Sequence, residues 1–181
     1  PNFIWAIILA LLFMNAGSLI GAIGITPLYI ILNNFSVFRT NTDLLLLLIT
    51  LVSFAFISLL VFIRVKFIEK RNFSSIGFSK NNWFKKYFLG FVIGLGMMCV
   101  VVLILFIFGF VSVESNPTQP IGISALIGVL IILVGWIIQG GTEEIVTRGW
   151  LMNVLGARYN IGIGLFISST LFGLLHLTNP N

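Results

Sequence analysis

The sequence predicts an all-α fold, a polytopic membrane helix bundle of about five spans, and three observations carry that prediction. Hydrophobic residues make up 59% of the 181 and charged residues 8%, with a mean hydropathy of +1.14. A soluble domain typically carries about 25% charged residues. Ten Lys/Arg and five Asp/Glu are too few to wet the surface of a 20.0 kDa globule, which excludes a soluble enzyme, a nucleic-acid module and a disordered tail. The apolar residues also fall into stretches that approach or exceed the roughly 20 residues a helix needs to cross about 30 Å of hydrocarbon.

These stretches run approximately over 3–32, 43–63, 88–113, 121–141 and 162–177. The first is too long for the apolar region of a signal peptide and has no basic leader. It is expected to be a tilted or kinked span, with Pro27 near its end. The last is short for a span and ends at Thr178-Asn179-Pro180, a turn signal. Gly17 and Gly21, and Gly90 and Gly94, are spaced so that helix backbones can approach closely in lipid. Trp5, Tyr29, Trp83, Tyr87, Trp150 and Tyr159 fall near predicted span ends, as interfacial anchors do. The single cysteine, Cys99, lies in an apolar run and reads as a packed core thiol. The sequence begins at Pro1 and stops at Asn181 soon after an apolar helix, which is expected of a piece of a longer protein.

The formal charge of +5 is a topology signal. Arg64, Lys66, Lys70, Arg71, Lys80, Lys85 and Lys86 lie between the second and third stretches, whereas the next loop holds Glu114 and no cation. Cytoplasmic loops are enriched in Lys/Arg, so the 64–86 loop, the turn around Arg158 and the N-terminus are expected inside, and the 114–120 loop outside. Cysteine labelling at Ser79 and Ser115 in intact cells checks this: reaction of a cysteine at 79 with an impermeant reagent overturns it. The charge thus needs no nucleic-acid partner.

Ionisable residues within spans are costly and are functional suspects by default. Here they concentrate in Gln139-Gly140-Gly141-Thr142-Glu143-Glu144, with Arg148 one turn later. Glu144 and Arg148, at i,i+4, share a helix face and can pair. Glu143 lies about 100° around the helix without that partner and is left free to act as a base. Taken alone, this segment could simply mark the cytoplasmic end of the fourth span. The only histidine, His176, changes the weight of that reading. The midpoint between Glu143 and His176 falls at Tyr159/Asn160, the one polar turn between the two helices. Antiparallel helices joined there carry both residues about 16–17 positions from the bend, up to roughly 25 Å of helix. Phe172 lies one turn before His176 and can wall the site, while Gly140, Gly141 and Gly173 leave room for a substrate backbone or a kink. A Glu/His pair with water supports hydrolysis, by general-base activation or through a metal.

Glu143-Glu144-x-x-x-Arg148-Gly149 followed by Phe172-x-x-x-His176 resembles the first two motifs of the CPBP family, the CAAX-protease and bacteriocin-processing intramembrane endopeptidases, also called the Abi or lysostaphin-resistance-protein-A-like family. The basic stretch 71–86 with Ile76-Gly77-Phe78 resembles the segment preceding that family's core. The resemblance divides the chain into an N-terminal membrane hairpin, 1–69, which carries the start of the basic loop, and a protease core, 70–181, that is C-terminally truncated. It implies that Glu143 activates water, supported by Glu144 and Arg148, and that His176 is the second-motif histidine. The cofactor stays open between a divalent metal such as zinc, with Glu143 and His176 as ligands, and a metal-free glutamate mechanism. The chain departs from the pattern at Thr147, where an aromatic residue is common, and shows no counterpart of the later motifs before Asn181. It is therefore expected to lack part of the site.

The resulting expectation is a multi-pass protein, in a bacterial cytoplasmic membrane to judge from its Ile/Asn/Lys-leaning composition. Its function is expected to be hydrolysis of a peptide or membrane-protein substrate towards the cytoplasmic face. Two alternatives are a non-proteolytic bacteriocin immunity protein of the same family and a transporter fragment, although a transporter would show paired broken helices in two halves.

Overall fold

The computed structural model describes residues 2–78, 81–112 and 121–177, and all regular structure among them is helical. In chain order these are α1 (Phe3–Gly24), α2 (Thr26–Leu32), α3 (Ser36–Arg39), α4 (Thr42–Ser53), α5 (Ala55–Ile63), α6 (Trp83–Ile107), α7 (Ile123–Glu144), α8 (Met152–Arg158) and α9 (Ile161–His176). A π-helical turn (Arg64–Ile68) extends α5, a 3-10 turn covers Phe73–Ile76, and a π-helical segment (Ile145–Leu151) joins α7 to α8. Among the described residues four helices are long and apolar enough to cross a membrane: Phe3–Gly24, Thr42–Ile68, Trp83–Ile107 and Ala125–Arg158. The fifth predicted span, α9, has only 16 residues, about 24 Å of helix against a hydrocarbon thickness of about 30 Å.

The boundaries differ from expectation where polar residues are carried on a helix. The first span breaks at Ile25, and Pro27 then sits in the first turn of α2, where its missing N–H goes unmissed. Arg64 and Lys66 ride on the second span, and Lys85 and Lys86 open α6. The fourth span does not stop at Gly141 but continues to Arg158. Ser79, Lys80, the 114–120 loop with Glu114 and Ser115, and Thr178-Asn179-Pro180 lie outside the described residues.

The chain packs as two units, Pro1–Gly77 with Ile127–Asn181, and Phe78–Leu126. The division into 1–69 and 70–181 follows the sequence resemblance, and the packing follows a different line. In the second unit Cys99 is exposed on α6, which corrects its reading as a core thiol. Within this unit a Cβ placed on Gly90 or Gly94 would meet nothing within 4 Å among the described residues.

In the first unit the other glycine pair does bring helices together. A Cβ at Gly17 would lie 2.6 Å from the Cα of Ile57, and one at Gly21 would lie 2.6 Å from the carbonyl oxygen of Ser53. Only bare backbone on α1 fits against the α4–α5 span, the close approach that small residues permit in lipid. Below this contact Ala6, Ala10 and Phe13 of α1 pack on Ile57, Val61 and Val65, and on Val146, Trp150, Leu151 and Leu155. Trp150, expected at the interface, is fully buried, with its ring edge-on to Phe13 at 5.1 Å between centroids. Its indole N–H donates to Glu69 Oε1 at 3.0 Å, which supplies the partner a buried indole needs.

Candidate active site

The helix that carries Glu143, Glu144 and Arg148 is continuous from Ala125 to Arg158, so these charges do not mark its end. Immediately after Glu144 the backbone widens into the π segment, a feature that frequently occurs at functional sites. Side chains satisfy carbonyls along the widened stretch. The Thr147 hydroxyl donates to the Glu143 carbonyl at 2.7 Å. The Asn153 amide donates to the carbonyls of Arg148 and Gly149 at 3.0 and 2.8 Å. The departure of Thr147 from the aromatic pattern thus has a local use: its hydroxyl serves the carbonyl of the glutamate itself.

The chain turns back at Tyr159, and Asn160 caps α9 by accepting from the Ile163 amide at 2.9 Å. Close packing of the two arms again relies on glycine, since a Cβ at Gly164 would lie 2.5 Å from the Met152 carbonyl oxygen. The hairpin therefore bends where the sequence midpoint puts it, and it carries His176 back to Glu143. Nε2 of His176 lies 3.9 Å from Oε2 of Glu143. That is too long for a direct hydrogen bond and is the kind of gap that a water bridges.

Each member of the pair is held on its other atom. Glu143 Oε1 accepts from the Gln139 amide at 3.2 Å. His176 Nδ1 lies 2.9 Å from the Phe172 carbonyl, an acceptor only, so in the neutral ring the proton sits on Nδ1 and Nε2 presents a lone pair. The Glu143 side chain is 15% exposed and that of His176 43%. Phe172 stacks obliquely on His176, with 4.3 Å between centroids, and Arg148 covers the Phe172 ring at 5.0 Å. Arg148 also pairs with Glu144, as the i,i+4 spacing predicts, and that pair is the more exposed one, at 40% and 56%.

The arrangement thus separates the two adjacent glutamates. Glu144 is neutralised by Arg148, while Glu143 keeps one oxygen free and aimed at an imidazole lone pair. Glu143 stands about midway along Ala125–Arg158 and His176 at the far end of α9, and the pair therefore lies well away from the Tyr159 turn. A Cβ at Gly140, Gly141 or Gly173 would meet nothing within 4 Å. Gln139 belongs to the polar cluster seen in the sequence, and its i,i+4 spacing to Glu143 is the signal for the role the structure gives it.

A catalytic zinc normally takes three protein ligands. Among the described residues no group of three His, Cys, Asp or Glu side chains gathers. Glu143 and His176 offer two donors, and Glu144 is engaged by Arg148. These residues do not by themselves make a zinc site.

Residues 124–181 match the family described as Rce1-like, type II CAAX prenyl endopeptidase Rce1-like. The match spans both motifs and bears out the family resemblance they carry. No curated protein and no solved structure gives a significant match to the chain.

Proposed function

We propose that this integral membrane protein, whose residues 124–181 belong with the Rce1-like CAAX endopeptidases, hydrolyses peptide bonds within the bilayer with Glu143 as general base. The observation that carries the reading is the facing of Glu143 Oε2 and His176 Nε2 across 3.9 Å, each residue fixed by a bond on its other atom. A water in that gap donates one hydrogen bond to the carboxylate and one to the imidazole. Glu143 takes the proton as the water oxygen adds to the scissile carbonyl, then passes it to the departing amine as the C–N bond breaks. Positioned proton transfer of this kind contributes typically 10²–10⁴-fold. Arg148 keeps the neighbouring Glu144 from competing, and Phe172 shields the imidazole. The substrate class is a peptide or membrane-protein segment that reaches the pair from the bilayer.

The test compares membrane-protein termini in cells producing the natural protein with those in cells producing Glu143→Gln, with membrane abundance measured alongside. New termini that depend on Glu143 are expected. If Glu143→Gln, at normal abundance, gives the same termini or keeps a full immunity phenotype, the proteolytic reading fails and a binding-only immunity protein takes its place.

A further inference from the structure

Immediately before the reactive glutamate stands Thr142, a polar side chain only 2% exposed in the core of the first unit. Its hydroxyl donates to the Phe54 carbonyl at 3.3 Å and lies 2.7 Å from the hydroxyl of Ser58, itself buried. One hydroxyl proton suffices for both contacts: Thr142 gives its proton to Phe54 and accepts the proton of Ser58. The acceptor lies where the second span is irregular. Phe54 separates α4 from α5, its N–H bonds to Leu51 at i−3, and its carbonyl receives the Ile57 N–H at 2.9 Å and the Ser58 N–H at 3.4 Å. The same turn is gripped from an adjacent face by α1, whose Gly17 and Gly21 press on Ile57 and Ser53.

We infer that Thr142 is a positioning residue, locking the rotation of the α7 turn that bears Glu143 through its hydrogen bonds to Phe54 and Ser58. The inference rests on Glu143 being the base. Adjacent helix residues are separated by about 100° and 1.5 Å, so a turn pinned at Thr142 has no freedom to swing Glu143 away from His176. The helix is packed on either side of the site, at Gly135 against Leu51 and at the buried Val146 and Trp150, and at the turn bearing Glu143 the hydrogen bonds of Thr142 supply the contact to the second span. A misplacement of about 1 Å at a reacting group can reduce the rate about 10²-fold.

The probe is a quenched fluorescent peptide spanning a cleavage site whose new terminus depends on Glu143, assayed with the full-length protein in reconstituted vesicles. Thr142→Val keeps the shape and removes both bonds, and kcat is expected to fall at least about tenfold with KM within about twofold. Thr142→Ser keeps the hydroxyl and restores kcat to within about twofold of the natural protein. Ser58→Ala, which leaves the bond to Phe54, falls between the two. Natural kcat in Thr142→Val, or failure of Thr142→Ser to restore it, overturns the inference. So does a loss of membrane abundance in Thr142→Val and Ser58→Ala with kcat per folded molecule unchanged, which makes the contact purely structural. Glu143→Gln run in parallel separates the two claims. An active Glu143→Gln removes the proposed reaction itself, whereas an inactive one beside a fully active Thr142→Val removes only the role of Thr142.

Discussion

Two glutamates of the first unit are buried almost equally, and their surroundings differ in one respect that decides what each can do. The Glu69 side chain is 14% exposed and that of Glu143 15%. Around Glu69 two donors meet on Oε1, Arg64 Nε at 3.2 Å and the Trp150 indole at 3.0 Å, while Arg71 Nη1 lies 3.4 Å from Oε2 as an ion-pair partner without a hydrogen bond. Around Glu143 there is the Gln139 amide on one oxygen and, facing the other across a gap, an imidazole lone pair. Burial therefore does not distinguish the two carboxylates. Glu69 is a carboxylate among cations that ties the end of the second span to the π segment of the fourth, with two hydrogen bonds on Oε1 and only the ion pair with Arg71 on Oε2. Glu143 also has one oxygen without a hydrogen bond, but that oxygen faces an imidazole with which it can share a water.

The sharpest break of this comparison is the pair of substitutions Glu143→Gln and His176→Ala. Each is expected to lower turnover by about 10²–10⁴-fold at natural membrane abundance, since neither removes a bond that holds two helices together. Cleavage kinetics normalised to protein in the membrane check this. A stability loss that accounts for the whole effect would make Glu143 a second structural glutamate.

Next in size is Arg148→Ala, which leaves Glu144 without its counter-ion about midway along a span. A carboxylate there is worth about 2–3 kcal/mol against insertion, and membrane abundance should fall accordingly. The double substitution Glu144→Gln with Arg148→Gln should recover most of it, because no lone charge then remains. If the double variant is as depleted as Arg148→Ala, the stacking of Arg148 on Phe172 matters more than the charge pair.

Glu69→Ala is expected to give the opposite signature to Glu143→Gln. It strands two arginines and an indole N–H, with a stability loss on the order of 2 kcal/mol, reduced by the partial exposure of both arginines. Turnover per folded molecule should stay within about twofold of natural. Thermal unfolding of the detergent-solubilised protein together with cleavage kinetics separates the two outcomes, and a large loss of turnover at natural stability would dissolve the contrast.

The contrast was only half legible in the sequence. Glu143, Glu144, Arg148 and His176 stand out because lipid tolerates few charges, and helical spacing about a single polar turn is enough to bring Glu143 and His176 together. Glu69 has no such signal. It sits between cations at 66, 70 and 71, where a carboxylate reads as one more solvated loop charge. Only folding brings Arg64, Arg71 and, from 81 residues away, Trp150 onto it. Trp150 was mistaken for an interfacial anchor for the same reason, because its depth is set by a long-range packing partner. The extent of the fourth span was misjudged at Gly141 because a charge cluster is the usual sign of a helix end. In this chain the widened backbone and the side chains of Thr147 and Asn153 carry the helix through it. The glycine pairs make the same point. Gly17 and Gly21 meet a partner helix within the first unit, whereas Gly90 and Gly94, at the same spacing, meet none within the second.

The smallest expected effect tests whether removing one donor from Glu69 makes it behave like Glu143. Trp150→Phe keeps an aromatic ring for the edge-on contact with Phe13 and removes only the N–H that Glu69 Oε1 accepts. The loss is one hydrogen bond to a charged group, worth about 1.5–3 kcal/mol in general. Here it should lie near the low end, about 1.5 kcal/mol, because Arg64 still reaches the same oxygen. The result is a Glu69 left with a single hydrogen bond, from Arg64 to Oε1, and in that number like Glu143 with its one bond from Gln139. It should acquire no activity, and in a Glu143→Gln background Trp150→Phe should restore none, because the groups that remain around Glu69 are cationic donors and not an imidazole lone pair. Unfolding temperature and residual cleavage of the double variant are the measurements. Recovery of cleavage would show that a partly freed carboxylate suffices, and would deny His176 the role assigned to it.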